Sequence, residues 1–250
     1  MMGPDDEWGP ATTLRPVRTD ARVPRTVLAV YAHPDDPEVA CGGSLAQWVD
    51  RGAQAHVLIV NRGDKGSSSP DVDPDELAAE RAAEVTEAAG VLGLASFALL
   101  GRPDGESEND LELRGRLVEV VRRLRPDTVV CPDPTALFFG AGYVNHRDHR
   151  VCGAAVLDAV APAAASPLYF PDAGPAHQVE QVYLSGTLHP DAAVDIGAVL
   201  DRKTAALACH RSQLGEGREW VNELVAQRAA DAGRGQGLRY AEVFRVLRLA

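Results

Sequence analysis

The chain has 250 residues, with 25 lysines and arginines against 36 aspartates and glutamates, and its net charge is −11 at pH 7. Hydrophobic residues make up 45% of the chain and charged residues 24%, which is typical of a soluble globular protein. The acid excess argues against nucleic-acid binding, which needs a basic surface, and against binding to anionic membranes. No apolar segment approaches the roughly 20 residues of a membrane helix.

The N-terminal sequence and the cysteines bear on the cellular compartment. MMGPDDEWGPATTLRP lacks the basic-then-apolar order of a signal peptide. Residues 1–23 are polar and without periodicity, so we expect a flexible tail followed by a single domain over residues 24–250. The four cysteines are far apart and form no CxxC pair, which predicts buried, reduced thiols in a cytoplasmic protein and no thiolate metal site.

Apolar runs and amphipathic segments alternate along the chain. Four apolar runs predict buried strands, namely TVLAVYA, AHVLIV, SFALL and DTVVCP. Helices are predicted after each of them, in GGSLAQWVDRG, residues 75–92, LELRGRLVEVVRRLR and a segment from HRDHR to about Val160. Shorter strands are predicted in LYF, HQVEQVYLS, AAVDI and VFRVLRL, and further helices over Ala198–His210 and Glu219–Ala229. This alternation predicts an α/β, Rossmann-like fold, with a mainly parallel sheet and helices on both faces.

Two polar loops follow the first and fourth predicted strands. Their chemistry-bearing side chains are His33, Asp35 and Asp36 in the first loop and His146, Asp148 and His149 in the second. Ligands of open parallel sheets bind at the carboxyl ends of the strands, where these two loops would meet. Imidazole and carboxylate ligands together suit zinc or iron(II), so we predict a metal site there. Each loop alone would also suit a helix-capping turn.

The motifs in these loops resemble those of the PIG-L/LmbE-like family of GlcNAc-PI de-N-acetylases, which are zinc-dependent deacetylases. AHPDDPE, followed by VACGGSLA, resembles the first family motif, and HRDH at residues 146–149 resembles the second. GDKGSS, LAAERAAE and GRPDGE resemble the family segments between them. The resemblance runs from about Val27 to Gln213 and implies an LmbE-like domain.

The resemblance also implies a metal-binding set. His33, Asp36 and His149 match the ligand positions, so the implied cofactor is Zn²⁺, with Fe²⁺ as the alternative. Asp35 then corresponds to the general base that activates water at the metal.

Three further roles follow from the same resemblance. His146 corresponds to the acid that supports the oxyanion and protonates the leaving amine, and Asp148 would hold the His146 ring. Asp104 and Arg81 match positions that reach a sugar substrate. From the residues alone, Asp104 could equally stabilise the turn at PDG, and Arg81 could pair with a glutamate on its own helix.

The leading functional hypothesis is a metal-dependent hydrolase that removes an N-acetyl group from an N-acetylglucosaminyl-type amino sugar or conjugate. An amidase acting on a thiol-sugar conjugate, from which a larger acyl group leaves, is a second hypothesis, and a non-catalytic metal or sugar binder is a third. A dinucleotide-binding protein is disfavoured because the first strand-to-helix turn lacks GxGxxG. The expected partner is a small amino-sugar molecule, with no nucleic acid and no membrane, and a homo-oligomer is left open.

Overall fold

The computed structural model describes residues 16–215 and 219–249, and within them a large sheet carries the site. The strands are β1 (Arg18–Thr19), β2 (Thr26–Tyr31), β3 (Gln54–Asn61), β4 (Ser96–Arg102), β5 (Thr128–Pro132), β6 (Phe138–Phe139), β7 (Tyr143–Val144), β8 (Gln181–Ser185), β9 (Ala192–Asp195) and β10 (Ala241–Arg248). The order in the sheet is β1-β9-β10-β8-β5-β2-β3-β4, while β6 and β7 form a separate hairpin. Strands β8, β5, β2, β3 and β4 are mutually parallel, and β10 is antiparallel to both neighbours.

Helices cover both faces of this sheet. They are α1 (Asp36–Asp50), α2 (Pro74–Leu92), α3 (Leu111–Leu124), α4 (Arg147–Asp158), α5 (Leu200–Leu207), α6 (Arg211–Leu214) and α7 (Glu219–Arg234). Helices α1, α2, α5 and α7 contribute to one hydrophobic core, and α3 and α4 contribute to the other. The predicted Rossmann-like α/β architecture is confirmed.

Strand β2 shows why its sequence is apolar throughout. Val27, Ala29 and Tyr31 point into the first core, whereas Leu28 and Val30 point into the second. Successive side chains of a strand face opposite sides, so a strand between two helical layers needs apolar residues at every position. Because β2 lies in the middle of the sheet, its carboxyl end places the first polar loop near the centre of that edge.

Part of the segment predicted as a flexible tail is paired with the sheet in the structure. Arg18 and Thr19 form β1, which pairs with Ala192 and Ala193 of β9. The Tyr183 hydroxyl donates a hydrogen bond of 2.6 Å to Asp20, which further fixes this segment to the sheet. The local sequence gives no apolar alternation because β1 is two residues long and lies at an exposed edge. Residues 1–15 of the predicted tail lie outside the described residues.

Two other local predictions also differ from the structure. The segment LYF is not a strand, since Phe170 has a φ of 46° and a single 3-10 turn follows over Pro171–Ala173. The Arg122 guanidinium holds this segment by donating to the carbonyls of Phe170, Tyr169 and Gly174. Helix α1 begins at Asp36, inside the loop predicted from HPDDPE.

The cysteines are free thiols, and three of them lie in the cores. Cys41, Cys131 and Cys152 are buried, and burial raises the pKa of each thiol above its usual range. Such thiols stay protonated and unreactive at neutral pH. Among the described helices, none has the length and hydrophobicity needed to cross a membrane.

Candidate metal centre

The first loop of the site lies between β2 and α1. Asp35 precedes the helix in a left-handed conformation, with a φ of 97°. Aspartate is one of the few residues other than glycine that adopts this region regularly. The turn lets the chain reverse directly from the end of β2 into α1, whose second residue is Pro37. Proline is favoured in the first turn because the backbone N–H there has no helical partner.

The second loop enters from β5 through the β6–β7 hairpin. His146 is the N-cap of α4, and Asp148 and His149 follow in the first turn of that helix. Strand β5 is hydrogen-bonded to β2 in parallel. The two loops therefore leave neighbouring strands at the same edge of the sheet, as the sequence predicted.

Three predicted ligands meet between these loops. Nδ1 of His33 lies 3.3 Å from Nε2 of His149 and 3.5 Å from Oδ2 of Asp36. Nε2 of His149 lies 3.2 Å from Oδ1 of Asp36. These donor atoms lie within 4.8 Å of one another, as a single cation requires. Two imidazole nitrogens and a carboxylate form a ligand set typical of catalytic zinc, with room for water or substrate.

The far nitrogen of each histidine has its own acceptor. Nε2 of His33 lies 3.2 Å from Oδ2 of Asp148, and Nδ1 of His149 lies 3.2 Å from Oδ1 of Asn145. Metal-binding histidines usually donate their other N–H to such an oxygen, which fixes the tautomer and the ring orientation. Nδ1 of His33 and Nε2 of His149 face Asp36 and are the atoms that would lose their protons to bind a cation. The residues present therefore fit a divalent cation.

Asp148 has different partners from those the family resemblance implied. Its Oδ2 lies 3.8 Å from Nδ1 of His146, outside hydrogen-bond distance, and the shortest contact with that ring comes from the Asp148 backbone N–H at 3.2 Å. The carboxylate instead accepts hydrogen bonds from Asn61 Nδ2 at 2.7 Å and from the Gly105 N–H at 2.6 Å, besides its contact with His33. In this arrangement Asp148 orients a predicted metal ligand. The alternative cluster of His33, His146 and Asp148 is less suitable for a cation because its carboxylate oxygen is already engaged.

Electrostatics at the cluster favour charged groups. Burial opposes a charge on His33, but hydrogen bonds with Asp148 and Asp36 outweigh it and raise the pKa of His33 to about 10. Burial also opposes ionisation of Asp36, yet hydrogen bonds from His149 and His33 hold its pKa well below the usual range. The protonated His33 ring therefore lies between the Asp36 and Asp148 carboxylates at neutral pH. A bound cation would replace the proton that faces Asp36.

The two candidate proton-transfer groups have opposite shifts. Burial, and then the negative charge of Asp36, raise the pKa of Asp35 to about 7, although the Arg81 cation partly offsets them. Burial, and then the charge of His33, lower the pKa of His146. A carboxylate with a pKa near neutrality is suited to general-base catalysis.

A polar cavity of about 380 Å³ opens over these groups. His33, Asp35, Asp36 and His146 all line it, so the structure brings two of the three predicted ligands and both proton-transfer groups to one opening. Its size falls within the range of small-molecule sites.

The two predicted substrate contacts also line this cavity, but both are engaged with the protein. Arg81 is 3% exposed and donates to the carbonyls of Pro34 and Gly63 and to the Asp35 carboxylate. Asp104 accepts a 2.8 Å hydrogen bond from the Gly63 N–H. Both residues shape the loops around the cavity, and their contact with a sugar remains a prediction.

Several residues around the site were missed in the sequence. Asn61 ends an otherwise apolar strand and Asn145 directly precedes the second motif, so polarity at those positions was an available signal. His210, a further residue beside Asp35, is fully buried, with Nε2 3.2 Å from Oε2 of the buried Glu38. This pair joins two distant parts of the chain.

Comparison with known proteins identifies the family. A family model described as GlcNAc-PI de-N-acetylase (PIG-L) matches residues 28–160, more than half of the chain. The chain belongs to this family. The assignment made from the two motifs, and with it the class of N-deacetylase hydrolases, is confirmed.

Relatives within the PIG-L family align over most of the chain. The chain is 32% identical over 225 residues to the diacetylchitobiose deacetylase of Thermococcus kodakarensis, an alignment that covers 88% of this chain and 82% of that protein. It is 30% identical to a 1D-myo-inositol 2-acetamido-2-deoxy-alpha-D-glucopyranoside deacetylase of Saccharopolyspora erythraea, covering 75% of this chain and 83% of that protein.

A solved structure extends the similarity to the fold. The N,N'-diacetylchitobiose deacetylase of Pyrococcus horikoshii, in complex with its inhibitor MPG, superposes with a TM-score of 0.81 at 29% identity. The superposition covers 90% of this chain and 84% of that one. The fold is thus that of a PIG-L deacetylase.

Proposed function

We propose that this protein hydrolyses the N-acetyl group of an N-acetylglucosaminyl-type sugar or conjugate, with Zn²⁺ as the metal and Fe²⁺ as the alternative. One observation carries the proposal: His33 and Asp36, two of the three converging ligands, line the same polar cavity as Asp35 and His146. A pure metal binder needs only the ligands. The names of the relatives, which act on N-acetylated amino sugars, support the substrate class.

The proposed reaction divides the proton transfers between two side chains. A divalent cation, when bound, would polarise the amide carbonyl and lower the pKa of a neighbouring water. Asp35 takes a proton from that water, and its raised pKa suits the role. His146 supports the negative charge on the carbonyl oxygen and gives a proton to the leaving amine. Asp148 orients the His33 ring through a hydrogen bond with Nε2, and Asn145 orients the His149 ring through a hydrogen bond with Nδ1.

We further propose that residues 24–250 act as one domain and that the protein works in the cytoplasm. The first is supported by Lys203 of α5 and Glu242 of β10, which both contact α1, the helix that carries Asp36. The second is supported by the buried free thiols. A homo-oligomer remains a prediction, which light scattering of the purified protein tests.

Metal analysis followed by an acetate-release screen over N-acetylglucosaminyl conjugates tests the function. Asp35→Ala should keep the metal and lose turnover by about 100-fold or more, the typical contribution of general-base catalysis. Asp71→Ala, which removes an exposed carboxylate in a loop, is the matched control and should retain turnover. A protein that retains no divalent metal, or an Asp35→Ala variant with normal turnover, contradicts the proposal.

A further inference from the structure

A second, larger cavity opens on the other side of the ligand set. Its volume is about 740 Å³, and Asp36 and His149 form part of its lining. Asp36 also lines the polar cavity, so the candidate metal centre lies between the two openings. The centre can therefore be reached from two sides, and the proposed deacetylation needs only a small space on one of them.

The walls of the second cavity are mainly apolar. They include Val39, Ala40, Phe139, Tyr143 and Val243. The rings of Phe139 and Tyr143 lie with their centroids 6.0 Å apart on the β6–β7 hairpin. Val39 is 45% exposed and Tyr143 is 55% exposed, so apolar surface is left open beside the site. Arg228 also lines the cavity but is exposed, and its long side chain can keep the guanidinium in water.

The polar groups of this lining are largely satisfied within the protein. The Tyr31 hydroxyl and the Ser185 hydroxyl lie 2.9 Å apart in a hydrogen bond. The Asp133 carboxylate accepts from the N–H and the hydroxyl of Thr135, at 2.8 and 2.6 Å. Asn145 donates to the Ala136 carbonyl and faces His149. Oδ2 of Asp133 is buried and has no hydrogen-bond partner among the described residues. A ligand that offers mainly C–H groups would leave the other pairs intact, whereas a strongly polar ligand would find few free partners.

The position of His146 indicates which cavity holds the sugar half of an amide substrate and which holds the acyl half. His146 lines the polar cavity and is absent from the lining described for the apolar one. If His146 protonates the leaving nitrogen, that nitrogen and its sugar lie in the polar cavity. The substituent on the carbonyl carbon then points away from His146, towards Asp36, His149 and the apolar walls.

We infer that the apolar cavity receives the acyl chain, so that amino sugars with N-acyl groups longer than acetyl are substrates of this protein. The inference rests on the proposed function, because it assumes the amide hydrolysis described above. Water oxygen bonds to the acyl carbon and the C–N bond breaks. Asp35 takes a proton and His146 supplies one to nitrogen, and the products are a free amine and a carboxylic acid. An acetyl methyl group is comparable in size to one water molecule, about 30 Å³, and would leave most of the 740 Å³ cavity unfilled.

A series of acyl chains on one sugar tests this assignment. Methyl glycosides of N-acetyl-, N-butanoyl- and N-hexanoylglucosamine are incubated with the zinc-loaded protein, and the released amine is measured for each. Burial of a methylene group corresponds to a gain of about fourfold in binding. We expect kcat/KM for the hexanoyl compound to exceed that for the acetyl compound by more than tenfold.

Two matched substitutions locate the chain within the protein. Val39 and Val91 are both partly exposed valines on helices, but Val39 lines the apolar cavity and Val91 lies on α2. Val39→Phe should lower the ratio of hexanoyl to acetyl kcat/KM by at least tenfold by filling the cavity. Val91→Phe should leave that ratio unchanged.

The outcomes separate this inference from the proposed function. Turnover of the acetyl compound with kcat/KM falling along the series overturns the acyl assignment and leaves the proposed function standing. Equal kcat/KM values along the acyl series also overturn the acyl assignment. If Val39→Phe then changes the preference for phenyl over methyl glycosides, the cavity is assigned to the aglycone instead. Release of amine from none of the compounds overturns both.

Discussion

Nη2 of Arg81 lies 3.1 Å from Oδ1 of Asp35, the candidate general base. The same guanidinium also donates to the carbonyl of Pro34 in the first loop. Arg81 thereby fixes both the backbone of this loop and the Asp35 side chain. Its positive charge also partly offsets the upward shift of the Asp35 pKa. Burial makes the carboxylate more basic, and the ion pair with Arg81 compensates part of its charge.

The first prediction concerns pH and stability of the metal-free protein. The pKa of Asp35 is raised from 3.8 to about 7 in the fold, so the folded state favours the protonated carboxyl. The resulting stability is fully present below pH 4 and is lost as the pH rises through about 7. Asp35→Asn has no charge to lose and also tolerates the left-handed backbone. In chelator, Asp35→Asn should gain in melting temperature over the native protein as the pH rises from 4 to 8.

The size and the control of this experiment follow from the same argument. A change of 1 kcal/mol shifts the melting temperature of a domain of this size by about 2–4 °C. Asp71→Asn, at an exposed loop position, should show no such growing difference. A constant gap between Asp35→Asn and the native protein across this pH range would contradict the raised pKa.

The second prediction concerns Asn145. Its Oδ1 faces Nδ1 of His149 at 3.2 Å, and its Nδ2 donates to the Ala136 carbonyl at 2.7 Å. Asn145→Ala should weaken metal affinity by about 10–100-fold, the usual effect of removing the partner of a metal-binding histidine. Competition with a zinc chelator measures it. Asn109→Ala, which removes an exposed contact with Asp158, should leave the affinity unaltered.

The third prediction uses the adjacent glycines of α1. A Cβ at Gly43 would lie 2.8 Å from the Ile196 side chain, which is fully buried, whereas at Gly42 its nearest neighbour would be at 3.6 Å. Gly43→Ala should therefore destabilise the protein by about 1–3 kcal/mol through overpacking. Gly42→Ala should stabilise it by about 0.5–1 kcal/mol, since alanine is the better helix former. Urea unfolding compares them, and equal midpoints would contradict the packing described here.

The fourth prediction concerns a buried ion pair that contacts the backbone of α1. Glu242 accepts from the backbone N–H groups of Gly43 and Ser44, and Lys203 donates to Glu242 and to the Val39 carbonyl. Lys203→Met leaves a buried carboxylate without its cation and should cost about 3–5 kcal/mol. Adding Glu242→Gln should recover part of that loss, because the amide oxygen still accepts from the helix.

Lys65→Met is the matched control for that measurement. The Lys65–Glu106 pair is half exposed or more on both side chains, so solvent screens it and its loss should change the urea midpoint very little. Similar urea midpoints for Lys203→Met and Lys65→Met would show that burial does not distinguish the two pairs.

The sequence was sufficient for the parts of the fold and site that depend on local patterns. Buried parallel strands such as β2 are recognisable because every residue is apolar, and the two loops stand out because they interrupt that pattern with His33 and His146. Parallel topology then brings the loops together. The metal ligands were assigned from the family resemblance, and their side chains do converge in the structure.

The remaining features depend on contacts between distant residues. Lys203 meets Glu242, and Asp148 meets Asn61, across long stretches of chain. Which of two nearby histidines Asp148 contacts more closely depends on ring positions set by the whole sheet, and the family resemblance implied His146 where the structure has His33. The edge strand β1 escaped prediction because two paired residues carry no periodicity.

The left-handed backbone of Asp35 has a consequence for how variants of this protein are chosen. A residue other than glycine in that region costs of the order of 1–3 kcal/mol. Selection for thermal tolerance alone would favour glycine or asparagine there, and both lack the carboxylate that we propose as the general base. A library screened for robustness without a turnover assay would thus be enriched in inactive proteins at this one codon.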